Sequence, residues 1–417
     1  MREVVDIHGY AKKIESRNKH LVEYFKTHNG KRLLDFVDYL RAKSYSVARI
    51  LKYLEMLPRI DRMFCKINGV SDFRWESATE KQLISLIGFV EGNKEWSPET
   101  KMCYRSVVKR FFKWLQGKDK DFPRKVRFII SHVKAKDRRM INPDELLSED
   151  EMKRLIEGAE HPRDRALVSL LCESGCRIGE ALSMRIGSLK FDQYGCLATV
   201  TGKTGQRTIR LIFCTSSLAT WIESHPFKLD KDSVLFVNYG SRNHGKAMAY
   251  PGARKILDSL YVKAGIKKRS NPHLIRHSRA SSLAAKAVLG EFQMNQFFGW
   301  VQGGKMAGRY LHLNCASTEE SLLNFYGVKK DVSHKESELK PKDCPRCKTL
   351  NPVTGTFCHR CGGILDADTA LRMQETQQIE LNKRSEADIL MEAIWKDPEF
   401  KKRIFGRLGS VLGKEVV

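Results

Sequence analysis

The chain has no run approaching the roughly 20 apolar residues that a membrane span needs. Its opening residues, Met1 to Asp6, lack the apolar stretch of a secretory signal. Both absences point to a reducing, cytoplasmic and nucleoid-associated location, where cysteines matter by spacing rather than by pairing. No internal repeat and no low-complexity tract interrupts the 417 residues. Acidic residues are in short supply: 49 Asp+Glu face 74 Lys+Arg, a formal net charge of +25. That excess favours a polyanionic partner, nucleic acid first and an anionic membrane second. Hydrophobic residues make up 41%, which fits packed domains rather than disorder.

What is present first is helix. Leu33, Leu34, Phe36, Val37 and Leu40 recur at helical spacing, as do Val47, Ile50, Leu51, Leu54 and Leu57 up to Pro58, where the run is expected to end. Ser77–Glu80 reads as a capping box, and Ser97-Pro98-Glu99 opens a further helix with Ser97 as N-cap. On that helix Lys101, Arg105, Lys109 and Lys113 fall four residues apart, opposite Tyr104, Val107, Val108, Phe111 and Leu115. Between Lys101 and Arg139 stand 14 Lys+Arg and three acids. The stripe is therefore expected to track phosphates. A capping box at Ser148 and Glu151 begins a second region. It carries helices, then strands over 196–200 and 208–212 joined by Gly202-Lys203-Thr204-Gly205, then helices again from about Pro251 to Tyr326. The fold class is mainly α with a small β-sheet.

The chemistry lies in a scattered set. Arg177 follows a Gly turn at a helix start, Lys203 sits in the hairpin turn, and His273 and Arg276 share a helix face. Trp300 and Tyr310 follow ten residues apart. His277 reads as a packing or surface residue facing elsewhere. Two guanidiniums suit the non-bridging oxygens of a phosphodiester, and a tyrosine beside cations suits a nucleophile. No carboxylate cluster of the kind that holds Mg²⁺ is evident, so a metal-free mechanism is the consistent one.

In this order and spacing the chain resembles the tyrosine recombinases, or phage-type integrases, over about residues 15 to 326. Ser174 to Ser183 matches the first Arg box, Thr201-Gly202-Lys203 the hairpin Lys, His273 to Arg276 the second box, and Gly299-Trp300 to Tyr310 the nucleophile segment. It departs from the pattern at Trp300, where the family more often has His, and around Lys203, for which Lys190 competes. The resemblance implies a helical core-binding domain over 1–120, a basic linker over 121–146 and an α/β catalytic domain over 147–328. It also implies a clamp on double-stranded DNA, a tetramer on two duplexes, exchange of Thr318 to Tyr326 between subunits, and an accessory protein. Tyr310 would form a covalent 3′-phosphotyrosyl intermediate, with Arg177, Arg276, His273, Lys203 and Trp300 around the phosphate and Glu180 orienting Arg177 or His273. A type IB topoisomerase and a decayed DNA-binding regulator share these residues and stand as rivals.

After a linker over 329–343 comes a cysteine module over 344–365. Cys344-x-x-Cys347 and Cys358-x-x-Cys361 form two knuckles with ten residues between them, the spacing of a zinc ribbon with a structural Zn²⁺. The ribbon faces either DNA or protein, and its presence points to an archaeal mobile-element or viral integrase. A helical tail over 366–417 follows. The other seven cysteines, Cys65, Cys103, Cys172, Cys176, Cys196, Cys214 and Cys315, read as small buried residues.

Overall fold

In a computed structural model, the structure describes residues 6–71, 73–117, 121–133, 142–240, 243–286, 288–304, 306–311, 326, 328, 337, 339–358, 360–396, 398–399 and 402. Cys315, most of the expected exchange segment 318–326, most of the linker 329–343 and the end of the tail lie outside them.

The N-terminal unit is built from α1 (Tyr10–His20), α2 (Val22–Lys26), α3 (His28–Ala42), α4 (Val47–Asn68), α5 (Glu80–Gly92) and α6 (Pro98–Leu115). Their apolar faces meet around the fully buried rings of Phe36, Phe64, Trp75, Phe111 and Phe112. The rings pack edge to face, as their quadrupoles prefer, with Phe36 and Phe111 at 5.4 Å and 78°. Ser97 caps α6 as its sequence announces, accepting from the Thr100 amide at 3.2 Å.

Two local expectations change. Pro58 does not end a helix but lies buried inside α4. Helical residues on both sides, with Leu54, Leu57, Ile60 and Phe64 all buried, outweigh the one backbone hydrogen bond a proline forfeits. The capping box of α5 is Thr79 with Gln82 rather than Ser77 with Glu80, because Ser77 still belongs to the preceding turn Trp75–Ser77.

The second unit runs through α7 (Glu149–Glu157), α8 (Pro162–Ser174) and the short α9 (Ile178–Leu182). An antiparallel sheet follows, in the order β1 (Leu189–Asp192), β2 (Gly195–Gly202) and β3 (Gly205–Leu211). Gly202 pairs with Gly205, so Lys203 and Thr204 form the turn, as the glycine spacing predicts. Lys190, the competitor of Lys203, lies within β1, paired with Leu197 and away from the hairpin turn. Then come α10 (Thr215–Glu223), α11 (Tyr250–Lys263), α12 (Pro272–Ala285), α13 (Glu291–Phe298) and α14 (Gly308–Leu311). Past the two-stranded β4 (Lys342–Asp343) and β5 (Leu350–Asn351) stands the long α15 (Ala367–Lys396). Cys172, Cys176, Cys196 and Cys214 are buried as expected, whereas Cys65 and Cys103 are only half-buried.

Two segments cross the expected boundaries. Val126 and Ile129, placed in the linker by sequence, are buried in the N-terminal core. At the other end Ile7 packs into the core of the second unit, and its carbonyl accepts from the Tyr250 amide at 2.9 Å. Replacing Ile129 with Ala should therefore lower stability by about 2–4 kcal/mol, read from the urea midpoint of the N-terminal unit. An unchanged midpoint would return this segment to a linker.

Candidate active site

Arg177 enters the site by capping α9. Its amide donates to Glu180 Oε2 at 2.9 Å, and its Nη1 donates to Oε1 at 2.8 Å. The Glu180 side chain is 4% exposed, yet it stays ionised. Burial works to raise its pKa, but the Arg207 guanidinium, then the Arg177 amide and side chain, outweigh burial and hold it below the ordinary carboxylate value. So Glu180 orients Arg177, one of the two partners expected for it.

Arg276 is buried on α12 and spends its fork on two backbone carbonyls, Gly175 at 2.7 Å and Phe298 at 2.6 Å. Its guanidinium also lies 5.2 Å from the Phe298 ring centre and 5.5 Å from that of Trp300. Burial, followed by the repulsion of Arg177, brings its pKa down to about 10, so it remains a cation at pH 7. His273 stands one turn earlier at the mouth, its amide held by Asn271 Oδ1 at 2.9 Å. Desolvation, Arg276 and Arg177 all depress its pKa, and the ring is neutral at pH 7.

Tyr310 forms the inner wall. Trp300 stacks on it at 5.3 Å and 2°, and Phe298 stacks on the far side of Trp300 at 4.8 Å and 19°. Burial pushes the phenol up to about 12, with Arg276 and Arg309 pulling the other way. Its hydroxyl meets Nδ1 of His277. His277 is thus no idle packing residue, and the reason is elementary. On a helix of 3.6 residues per turn, a residue four along is turned only about 40° from the first. His277 therefore shares the side of α12 that His273 occupies. Its pKa falls through desolvation and through His273, Arg276 and Arg309. A neutral ring accepts from a phenol that keeps its proton.

Arg177, Lys203, Glu180 and His273 line one open cavity of about 710 Å³, with Ile7 and His8 on its rim. Glu180 is the one acid among the described residues of that lining. Thr204, next to Lys203, donates to the Gly299 carbonyl at 3.0 Å and ties the hairpin tip to the Trp300 turn. Arg207 is a member that sequence reading missed. It sits on β3 on the same side as the buried Ile209 and Leu211, and an Arg at a core-facing strand position is itself a signal of a buried pair.

The basic stripe of α6 makes contacts within the chain. Arg105 is buried, 3.1 Å from Glu91 and 3.2 Å from the His132 carbonyl. Lys101 donates to the Glu91 carbonyl and Lys109 to the Ile129 carbonyl, each at 2.7 Å. Lys113 lies over the Phe122 ring at 5.0 Å. Arg105 and Lys109 thus donate to carbonyls of the chain after α6, Lys101 to a carbonyl of α5, and Lys113 stands over a ring. Around the corner, Tyr39, Lys43, Tyr45, Arg110, Lys113 and Trp114 line a groove of about 580 Å³.

The cysteine module closes as its spacing predicts. The four Sγ atoms of Cys344, Cys347, Cys358 and Cys361 lie within 4.8 Å of one another. Zn–S bonds of about 2.3 Å in a tetrahedron place sulfurs some 3.8 Å apart, so the donor set fits a metal. The Cys347 amide points at Cys344 Sγ at 3.5 Å, the polarity a bound thiolate needs.

The phage integrase family model matches residues 145–316. The tyrosine recombinase XerC of Bacillus pumilus is 25% identical over 270 residues, covering 61% of this chain and 84% of that one. The tyrosine recombinase XerD of Oceanobacillus iheyensis is 31% identical over 157 residues, 36% of this chain and 50% of that one. In fold, the chain resembles the XerH site-specific recombinase bound to its difH substrate. That match has a TM-score of 0.52 and 20% identity, covering 70% of this chain and 83% of that one.

If the phenol donates to His277, the ring should stay neutral until the pH falls below the ordinary 6.5, and Tyr310→Phe should move the His277 Nδ1 resonance but not that of His273. A His277 resonance indifferent to Tyr310→Phe would remove the contact.

Proposed function

The chain belongs to the phage integrase family of tyrosine recombinases, and from that footing we propose that it is a site-specific DNA recombinase that cuts and rejoins strands through Tyr310. The observation that carries the reading is the gathering of Arg177, His273 and Lys203 about one cavity, with Arg276 buried against Trp300, on which Tyr310 is stacked. Behind desolvation, Arg276 and Arg177 both lower the pKa of His273 and Arg177 lowers that of Arg276, and Glu180 balances only part of their charge. A phosphodiester between them relieves that repulsion with charge-assisted hydrogen bonds.

The step balances without an external energy source. The Tyr310 oxygen attacks phosphorus as its proton passes to His277, and the P–O5′ bond breaks. Lys203 protonates the departing 5′ oxygen. One phosphodiester is exchanged for a 3′-phosphotyrosyl ester, and a 5′ hydroxyl can reverse the step on a new strand. Arg177 and Arg276 hold the non-bridging oxygens, and the indole N–H of Trp300 donates or packs the Tyr310 segment. Because the ring of Tyr310 is 1% exposed, DNA binding must turn it toward the cavity.

The finer reading places the duplex between the two units, with Lys43, Arg110 and Lys113 of the aromatic groove against the backbone. It includes self-association to a tetramer on two duplexes, an accessory protein that sets direction, and a cytoplasmic, nucleoid-associated site of action. Among the described residues no helix is long and apolar enough to cross a membrane. The four cysteines would hold a structural Zn²⁺, all four positions being filled by thiolate.

A pool of nicked duplexes of randomised sequence tests the function. Wild type should form a denaturant-resistant, protease-sensitive DNA adduct without added divalent metal, and Tyr310→Phe should bind the pool equally and form none. An adduct in Tyr310→Phe would sink the assignment. Joining of two separate sites, read on plasmids carrying the recovered sequence, separates a recombinase from a type IB topoisomerase.

For the ribbon, purified protein should carry one zinc per chain by elemental analysis. Cys358→Ser should lose it and lower the melting temperature of the C-terminal module. Full zinc content in Cys358→Ser would refute the site.

A further inference from the structure

A buried carboxylate beside an arginine creates a problem for any phosphate clamp. Glu180 needs a counter-charge, and if Arg177 were its only one, Arg177 would be consumed by it. The structure supplies a second cation. Arg207, its side chain 8% exposed, meets Glu180 end-on, with Nη1 at 3.2 Å from Oε1 and Nη2 at 2.8 Å from Oε2. One carboxylate between two guanidiniums leaves a net positive charge, and that charge stands at Arg177, the 33% exposed member.

Arg207 also reaches the other half of the site. Its Nε donates to the Phe297 carbonyl at 2.9 Å. The next carbonyl along, Phe298, is the one that holds Arg276 at 2.6 Å. A single guanidinium thus spans from the anchor of Arg177 to the anchor of Arg276, while its own strand carries the Lys203 turn.

Two glycines show that this pair has room made for it. A Cβ on Gly202 would come 2.3 Å from Glu180 Oε1, and a Cβ on Gly299 would come 2.7 Å from Arg207 Nη1. Such approaches are closer than a Cβ tolerates, so the turn before Lys203 and the turn before Trp300 are both shaped around the Glu180–Arg207 pair.

We propose that Arg207 is a positioning residue for the phosphate clamp: it neutralises Glu180 so that Arg177 stays available to phosphate, and it fixes the spacing of Arg177 and Arg276. It does not touch the phosphate itself. This rests on the strand-transfer reading above.

The test uses the full-length protein and a nicked duplex recovered from the randomised pool, made with either a phosphodiester or a neutral methylphosphonate at the scissile position. At saturating DNA, Arg207→Met should slow adduct formation by about 100-fold or more on the phosphodiester, the scale of losing one preorganised donor, while DNA affinity stays within about threefold. On the methylphosphonate the ratio of wild type to Arg207→Met should shrink to under about tenfold, because a neutral phosphorus centre no longer needs the charge on Arg177. Arg207→Lys keeps the charge and loses the fork. It should fall between the two and serves as the deciding variant should Arg207→Met not fold. Equal losses on both substrates, or no loss on the phosphodiester, would overturn the inference. A wild type that forms no adduct on either substrate would instead bring down the strand-transfer reading.

Discussion

Cations do not share a small volume without something negative to hold them, and here that something is the Glu180 carboxylate. Two unit charges about 4 Å apart interact by about 4 kcal/mol at an effective dielectric of 20, and Arg177 is near enough to Arg276 to lower its pKa. Glu180 takes hydrogen bonds from the Arg177 amide and guanidinium and from Arg207. Arg276 is handled differently, by two backbone carbonyls that offer dipoles but no full charge. Breaking a buried pair of this sort costs several kcal/mol because the partner is left stranded. The helix starts, the hairpin turn and the Trp300 turn are thereby placed with respect to one another by side chains that never meet the substrate.

The same logic governs Tyr310, the proposed nucleophile. A phenol enclosed by Trp300 and the α12 helix has its pKa raised, which protects it from idle reaction and leaves it dependent on an acceptor. His277 fills that place because burial and neighbouring cations keep its ring neutral. Tyr310, His277, Trp300 and Arg276 therefore form a buried layer, and Arg177, His273 and Lys203 face the open cavity. In the proposed strand transfer, DNA brings the two layers together.

Much of the site was legible in the sequence, because its groups lie at turns and helix starts whose chemistry is local. Gly202–Gly205 sets the hairpin, Ser148 and Glu151 set α7, and the spacing of His273 and Arg276 sets one face of α12. The two misses have physical causes. His277 reads as facing elsewhere, yet it lies four residues from His273 and so shares its side of α12. Arg207 draws its meaning from Glu180, 27 residues earlier, and only its core-facing strand position hinted at a buried partner. The contacts of the α6 stripe were hidden for the converse reason. A sequence displays charges without the carbonyls that satisfy them, and residues after α6 return to do so. Pro58 likewise yields to the apolar faces of α4 on both its sides.

The central claim is that Tyr310 carries the DNA. Digestion of the trapped adduct with trypsin and nuclease, followed by tandem mass spectrometry, reads it directly. Cleavage after Arg309 releases a peptide that begins at Tyr310 and also contains Tyr326, so fragment ions distinguish the two. The account predicts a phosphonucleotide on Tyr310. The same mass on Tyr326, on Tyr261, or on a serine would contradict it.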